Sequence, residues 1–121
     1  MSAVRSIRLV LARMPASPDG DSECGYEFIA PLDEDGRLDA AAWKGQRARC
    51  TVRRFWRGAA EEQGEVLHTR GGRWVFSYAP GPDDDEPIFK FDRHVFVPGE
   101  YVAITEHDGV TRPFRVVAVT G

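Results

Sequence analysis

Short runs in which apolar and polar residues alternate, each cut off by glycine, proline or adjacent acids, dominate this chain. Side chains of a β-strand point to opposite faces with a period of two, so every such run has one face to bury and one to leave wet. In Ser6–Arg13, Ile7, Leu9 and Leu11 fall on one side and Arg8 and Val10 on the other; in Gly25–Leu32, Tyr26, Phe28, Ala30 and Leu32 share a face. Gln46–Arg57 sets Ala48, Cys50, Val52 and Trp56 against Arg47, Arg49, Arg53 and Arg57.

Further runs are Glu65–Arg70, Arg73–Ala79, Ile88–Phe91, His94–Val97, Glu100–Glu106 and Val110–Thr120. The breakers between them have turn chemistry: Asp33-Glu34-Asp35-Gly36, Gly71-Gly72, a type II turn at Pro98-Gly99, and Asp108-Gly109. Met14–Cys24 and Pro80–Pro87 have no apolar face and read as exposed loops, the first of them mobile. One helix is expected, capped by Asp39, running from Ala40 to Lys44 and stopped by a left-handed Gly45.

Many short strands with sequential turns and a single short helix predict a mainly β fold, a small antiparallel β-barrel of about six to eight strands. With 121 residues and no internal repeat, the chain has material for one core, so residues 1–121 are read as a single domain. Trp74, Phe76, Tyr78, Phe89, Phe91, Phe96 and Phe114 alternate in strands and read as core.

The net charge of −3 does not point to general attraction to nucleic acid or anionic membrane. Cys24 and Cys50 fit neither a disulfide framework nor a C-x-x-C zinc pair, so reduced thiols and a cytoplasmic location are expected. The Leu9–Ala12 stretch, interrupted by Arg13, is too short for a signal-peptide core, and no run is long enough to span a bilayer.

Chemistry is concentrated in one place. Lys44, Arg47, Arg49, Arg53, Arg54 and Arg57 are six of the sixteen basic residues, with Phe55 and Trp56 among them and no acid between. Arginines on one strand face stand about 7 Å apart, a spacing that follows phosphates while an exposed Phe55 stacks on a base. The same residues also suit a solvated outer face paired with acids of neighbouring strands. Arg47, Arg49, Arg53, Phe55, Trp56 and Arg57 are therefore the candidate binding residues, for nucleic acid or a protein partner.

His68, His94 and His107, with Asp92, Asp108 or Cys50, lack metal-ligand spacing, and no metal or other cofactor is expected. Asp83, Asp84, Asp85 and Glu86 read as a solvated acidic loop rather than a calcium site. No nucleophile signature, carboxylate pair or phosphate-cradling loop is present, which leans against an enzyme.

The stretch His94-Val-Phe-Val-Pro-Gly-Glu-Tyr-Val102 with Arg112-Pro-Phe-Arg-Val116 resembles the flavin-domain barrel of the ferredoxin reductase family. That likeness implies a flavin or small-molecule site at Tyr101, Arg112 and Phe114, although Phe114 and Arg115 stand where that family has tyrosine and serine. A Gly-Glu-Tyr-Val turn is also similar to one in translation-factor barrels, and the whole chain resembles a small bacterial family that brings no activity with it.

The expected function is a non-catalytic binding module acting through the basic aromatic strand. The alternatives are a small-molecule or flavin-binding barrel, and a structural protein self-associating through strand edges or exposed Trp43 and Trp56, as a monomer or homodimer without a membrane partner.

Overall fold

The computed structural model describes residues 2–15, 17–69, 73–78, 86–89 as backbone, 95–106 and 108–121. Eight strands follow one another in sequence: β1 (Ala3–Leu11), β2 (Asp21–Leu32), β3 (Thr51–Phe55), β4 (Glu62–His68), β5 (Trp74–Ser77), β6 (Glu86–Phe89), β7 (Tyr101–Thr105) and β8 (Thr111–Thr120). Each pairs antiparallel with the next, and β8 returns to β1, closing the sheet into a barrel. Closure satisfies both edges of the first and last strands without a second sheet. One α-helix, α1 (Ala40–Lys44), is set between β2 and β3.

The alternation read from the sequence is what fills the barrel. Ile7 opposes Phe28 and Leu9 opposes Tyr26 across β1 and β2, while Leu11 opposes Phe114 across β1 and β8. Ile7, Leu9, Tyr26, Phe28, Phe76, Ile104 and Phe114 are fully buried. Their rings form a connected column: Phe96 meets Phe28 at 5.7 Å between centroids, Phe28 meets Phe76 at 5.2 Å, and Tyr26 meets Phe76 at 5.0 Å and Phe114 at 5.1 Å. Tilted and edge-on contacts of this kind bring a positive ring edge onto a negative face.

α1 closes one end of the column. The Asp39 carboxylate accepts from the Ala42 amide at 3.0 Å, as a capping residue should, and the Ser2 hydroxyl donates to its other oxygen. Those donors hold the Asp39 carboxyl below the usual aspartate range. Trp43, only 5 % exposed, packs edge-on against Trp74 at 6.0 Å and donates its indole N–H to the Val66 carbonyl at 2.8 Å.

Four expectations need correction. Gly45 is right-handed, at φ −81°, so the chain winds on into a 3-10 turn at Arg47–Arg49 with the Cys50 amide donating to the Arg47 carbonyl. The strand expected over Gln46–Arg57 is thereby confined to Thr51–Phe55. β2 begins at Asp21, which takes Asp21–Cys24 out of the expected loop; the change of register between Val10 and Leu11 absorbs the offset. Val95–Val97 form no strand, because the Phe96 amide is drawn to the Gly36 carbonyl at 2.7 Å in the turn after β2.

The type II turn at Pro98-Gly99 is present, with Gly99 at φ 99° and the Glu100 amide donating to the Val97 carbonyl. The Gly71-Gly72 turn, Asp83–Asp85, Phe91, Asp92, His94 and His107 lie outside the described residues. Among the described residues no helix is long and apolar enough to cross a membrane.

Two glycines give opposite tests of this backbone. A Cβ on Gly25 would lie 2.0 Å from the Leu9 carbonyl oxygen across the sheet, whereas one on Gly45 meets nothing closer than the Ala42 carbonyl at 3.8 Å. Gly25→Ala is expected to cost about 1–3 kcal/mol through backbone displacement. Gly45→Ala is expected to be neutral or to stabilise by up to about 1 kcal/mol by restricting the unfolded chain. Urea denaturation followed by tryptophan fluorescence measures both, and a large loss for Gly45→Ala would contradict the right-handed geometry.

Candidate functional site

The basic segment divides by strand geometry into three environments. On the outer face, Arg8 opposes Glu27 and Glu27 opposes Arg53 in the register of β1, β2 and β3. That alignment produces a ladder of alternating charge: Arg8 to Glu27 at 2.9 Å, Glu27 to Arg53 at 3.5 Å, and Arg53 to Glu61 at 2.5 Å. Phe55 lies beneath it, with the Arg8 guanidinium 4.4 Å and that of Arg53 5.4 Å from its ring centre. Only 8 % of Phe55 is exposed, so it offers no free face for a base to stack on.

At the Phe55 end of β3, Arg54 has the opposite parity and turns inward. Its guanidinium meets Glu106, the one buried charged residue among those described, at 2.9 Å. The Tyr26 hydroxyl donates to the same carboxylate at 2.6 Å, and Arg112 reaches its other oxygen at 2.6 Å. Arg112 also holds Asp108 at 3.0 Å.

Trp56 lies between the two guanidiniums, 4.3 Å from Arg54 and 5.7 Å from Arg112, and edge-on to Phe114. Burial opposes the charge of Arg54, but attraction to the Glu106 carboxylate outweighs it and its pKa is raised. A buried carboxylate paired on this many sides is a structural plug.

Arg57, beyond β3, grips Asp21 through two bonds of 2.9 and 3.0 Å and also pairs with Glu23. Hydrogen bonds from Arg57 and from the Glu23 amide hold the Asp21 carboxyl well below its ordinary range. Cys24 and Cys50 are buried thiols whose pKa values burial pushes up, which keeps both protonated and unreactive.

The remaining basic residues differ. Among the described residues no carboxylate comes within ion-pair distance of Lys44, Arg47 or Arg49. Arg49 donates to the Gln46 side chain at 3.1 Å, and Arg47 rests 4.9 Å over the Trp43 ring. Lys44 lines a cleft of about 470 Å³ with Ala40, Ala41, Trp43, His68 and Thr69, and Arg47 reaches it through the Trp43 ring. His68 packs against Trp74 within this aromatic corner, the rings tilted and 4.7 Å apart between centres. Trp43, expected to be exposed for self-association, is instead buried as described, and Trp56 is half-buried against the core.

The trio Tyr101, Arg112 and Phe114 does not share a surface. Tyr101 opposes Arg115 and Val102 opposes Phe114, so Tyr101 points outward at 55 % exposure while Phe114 is sealed in the core. Arg112 is committed to Glu106 and Asp108. The inward turn of Arg54 is legible from parity, since it falls between Val52 and Trp56 on the inner face; nothing local marks Glu106 as its partner.

No family model, curated protein or solved structure matches this chain.

Two measurements test these environments. Glu106→Ala removes the buried partner that two inward arginines share and is expected to cost about 3–5 kcal/mol. Arg53→Ala on the exposed ladder should cost under about 1 kcal/mol, both being read from urea midpoints. The Asp21 pair has a definite sign with pH. Its folded pKa lies below that of an unfolded aspartate, about 3.9, so the pair contributes fully above that pH and its contribution is lost as pH falls toward the folded value. Asp21→Asn should accordingly flatten the fall in stability below about pH 4, measured by thermal unfolding across an acid series.

Proposed function

We propose that the protein is a non-catalytic binding module that engages a protein partner through the basic corner Lys44–Arg49, not through the body of strand β3. The observation that carries this reading is the division of the cations. Arg53, Arg54 and Arg57 are neutralised by carboxylates of their own fold, while Lys44, Arg47 and Arg49 face none among the described residues. A row of neutralised guanidiniums has little electrostatic pull on a phosphate backbone, and binding of that kind draws its affinity from uncompensated charge.

The corner combines that free charge with a cleft whose sides are methyl groups and aromatic rings. An apolar centre with a charged rim is the general anatomy of a protein recognition surface. The partner it suits is an acidic segment carrying one aromatic or leucine anchor, the carboxylates meeting Lys44, Arg47 and Arg49 and the anchor entering beside Trp43 and His68. Electrostatic complementarity of this sort sets specificity and association rate.

Selection from a random peptide display library tests the reading without a known partner. Recovered peptides are expected to be acidic with an apolar anchor, and Arg47→Glu with Arg49→Glu should weaken them by about tenfold or more while Arg53→Glu has a smaller effect. Recovery of neutral or basic peptides, or indifference to the double reversal, would overturn it. Tighter, salt-sensitive binding of a single-stranded DNA or RNA oligonucleotide would replace the protein partner with nucleic acid.

A further inference from the structure

At the opposite end of the barrel, β7 and β8 present a second outer surface that the basic corner does not involve. Tyr101, at 55 %, is the most exposed large apolar residue among those described. It is the direct cross-strand partner of Arg115, and Arg115 in turn opposes Val10 of β1. Alternation therefore puts the phenol ring and the guanidinium side by side on one face.

Tyr101 and Arg115 share a cleft of about 190 Å³ with Leu11, Ala12, Arg13 and Asp19. A neighbouring cleft of about 370 Å³ shares Leu11, Asp19 and Arg115 and is bounded at its far side by the Arg57–Asp21 pair. The two make one groove, in the size range that holds a small molecule.

Its charges are unspent. Arg115 makes no ion pair among the described residues, and Arg13 uses only its Nε, on the Pro18 carbonyl at 3.1 Å. Asp19 lines both clefts with Arg115, yet no ion pair joins the two. Arg112, three residues before the outward Arg115 and of opposite parity, is by contrast fully committed.

The loop bearing Asp19 is tightly set. The Gly20 amide donates to the Ser17 carbonyl at 2.9 Å, and at φ 70° a Cβ on Gly20 would lie 2.5 Å from the Leu11 carbonyl oxygen. The backbone that carries Asp19 is thus set against the end of β1 by an approach that only glycine permits, with the Asp19 side chain exposed beside the groove.

We propose that this groove binds a nucleoside monophosphate. The base lies on the Tyr101 ring, the phosphate takes charge-assisted hydrogen bonds from Arg115 and Arg13, and the sugar hydroxyls donate to Asp19. Each group answers a different part of the ligand: an aromatic face for a planar ring, planar forks for a dianion, and an acceptor for hydroxyls. Stacking tolerates every base, so the geometry selects the phosphate and the sugar more strongly than the base.

Isothermal titration of the full chain with each of the four ribonucleoside monophosphates, with adenosine and with inorganic phosphate reads the proposal. Expected is saturable binding of all four nucleotides, tighter than that of adenosine or phosphate alone. Arg115→Gln should weaken it by about tenfold or more, Tyr101→Ser should bring the nucleotides close to inorganic phosphate, and Asp19→Asn should reduce the preference for ribose over deoxyribose. Tyr101 and Arg115 lie on the outer face, and circular dichroism verifies that their variants fold. No saturable binding at millimolar nucleotide, nucleotides no tighter than phosphate, or affinity indifferent to Arg115→Gln would each overturn it. Lys44, Arg47 and Arg49 play no part here, so either outcome leaves the basic corner to be judged by its own experiment.

Discussion

A carboxylate sealed inside one mouth of the barrel governs much of the rest. Glu106 is 2 % exposed, and an ionised group so far from water is tolerable only when its oxygens are taken up by donors. Those donors come from β2 (Tyr26), β3 (Arg54) and β8 (Arg112), none of them adjacent in sequence to the residue they hold. Three strands are thereby tied to the end of β7 at a single point. Apolar side chains of equal volume would fill the space with comparable stability. What the ionic arrangement adds is register: a slip of β3 by one residue would expel Arg54 and turn Phe55 into the barrel.

From that fixed end the interior follows as a stack of rings. Trp56 covers the Arg54 and Arg112 guanidiniums and touches Phe114; Tyr26, Phe76, Phe28 and Phe96 continue inward. At the other end Trp43 of α1 lies against Trp74. A barrel of eight strands has room for side chains to fill its lumen, and here they do so along this column. The filled lumen leaves the outer surface as the place for recognition.

The elements legible in the sequence are those where a local rule and the tertiary structure agree. Alternation identified the inward faces of β1 and β2 and the core place of Phe114, and turn chemistry located Pro98-Gly99 and Asp108-Gly109. Asp39 behaved as its side chain dictates. Arg47-Ala48-Arg49 shows where period-two reading fails: three residues alternate in any conformation, and the right-handed exit of α1 carries them into a 3-10 turn. Phe55 was legible as outward-facing but not as covered. Its cover includes Arg8, from a strand two places away in the sheet, and only the register of β1, β2 and β3 brings the two together.

The same register changes what the count of basic residues means. Fourteen of the sixteen are arginine and only Lys44 and Lys90 are lysine. A planar guanidinium lies flat on an aromatic ring and grips a carboxylate with two parallel donors, neither of which an ammonium does as well. Arg8, Arg53, Arg54 and Arg112 each contact a ring and an acid at once, and Arg57 and Arg112 each grip an aspartate with two donors. In this fold arginine is first a building material that joins aromatic and acidic side chains across strands. The basic aromatic segment is dense because β3 is held on both faces by such joints, and surplus charge remains where the joints stop: at Lys44, Arg47 and Arg49 before the strand, and at Arg13 and Arg115 beyond its other end.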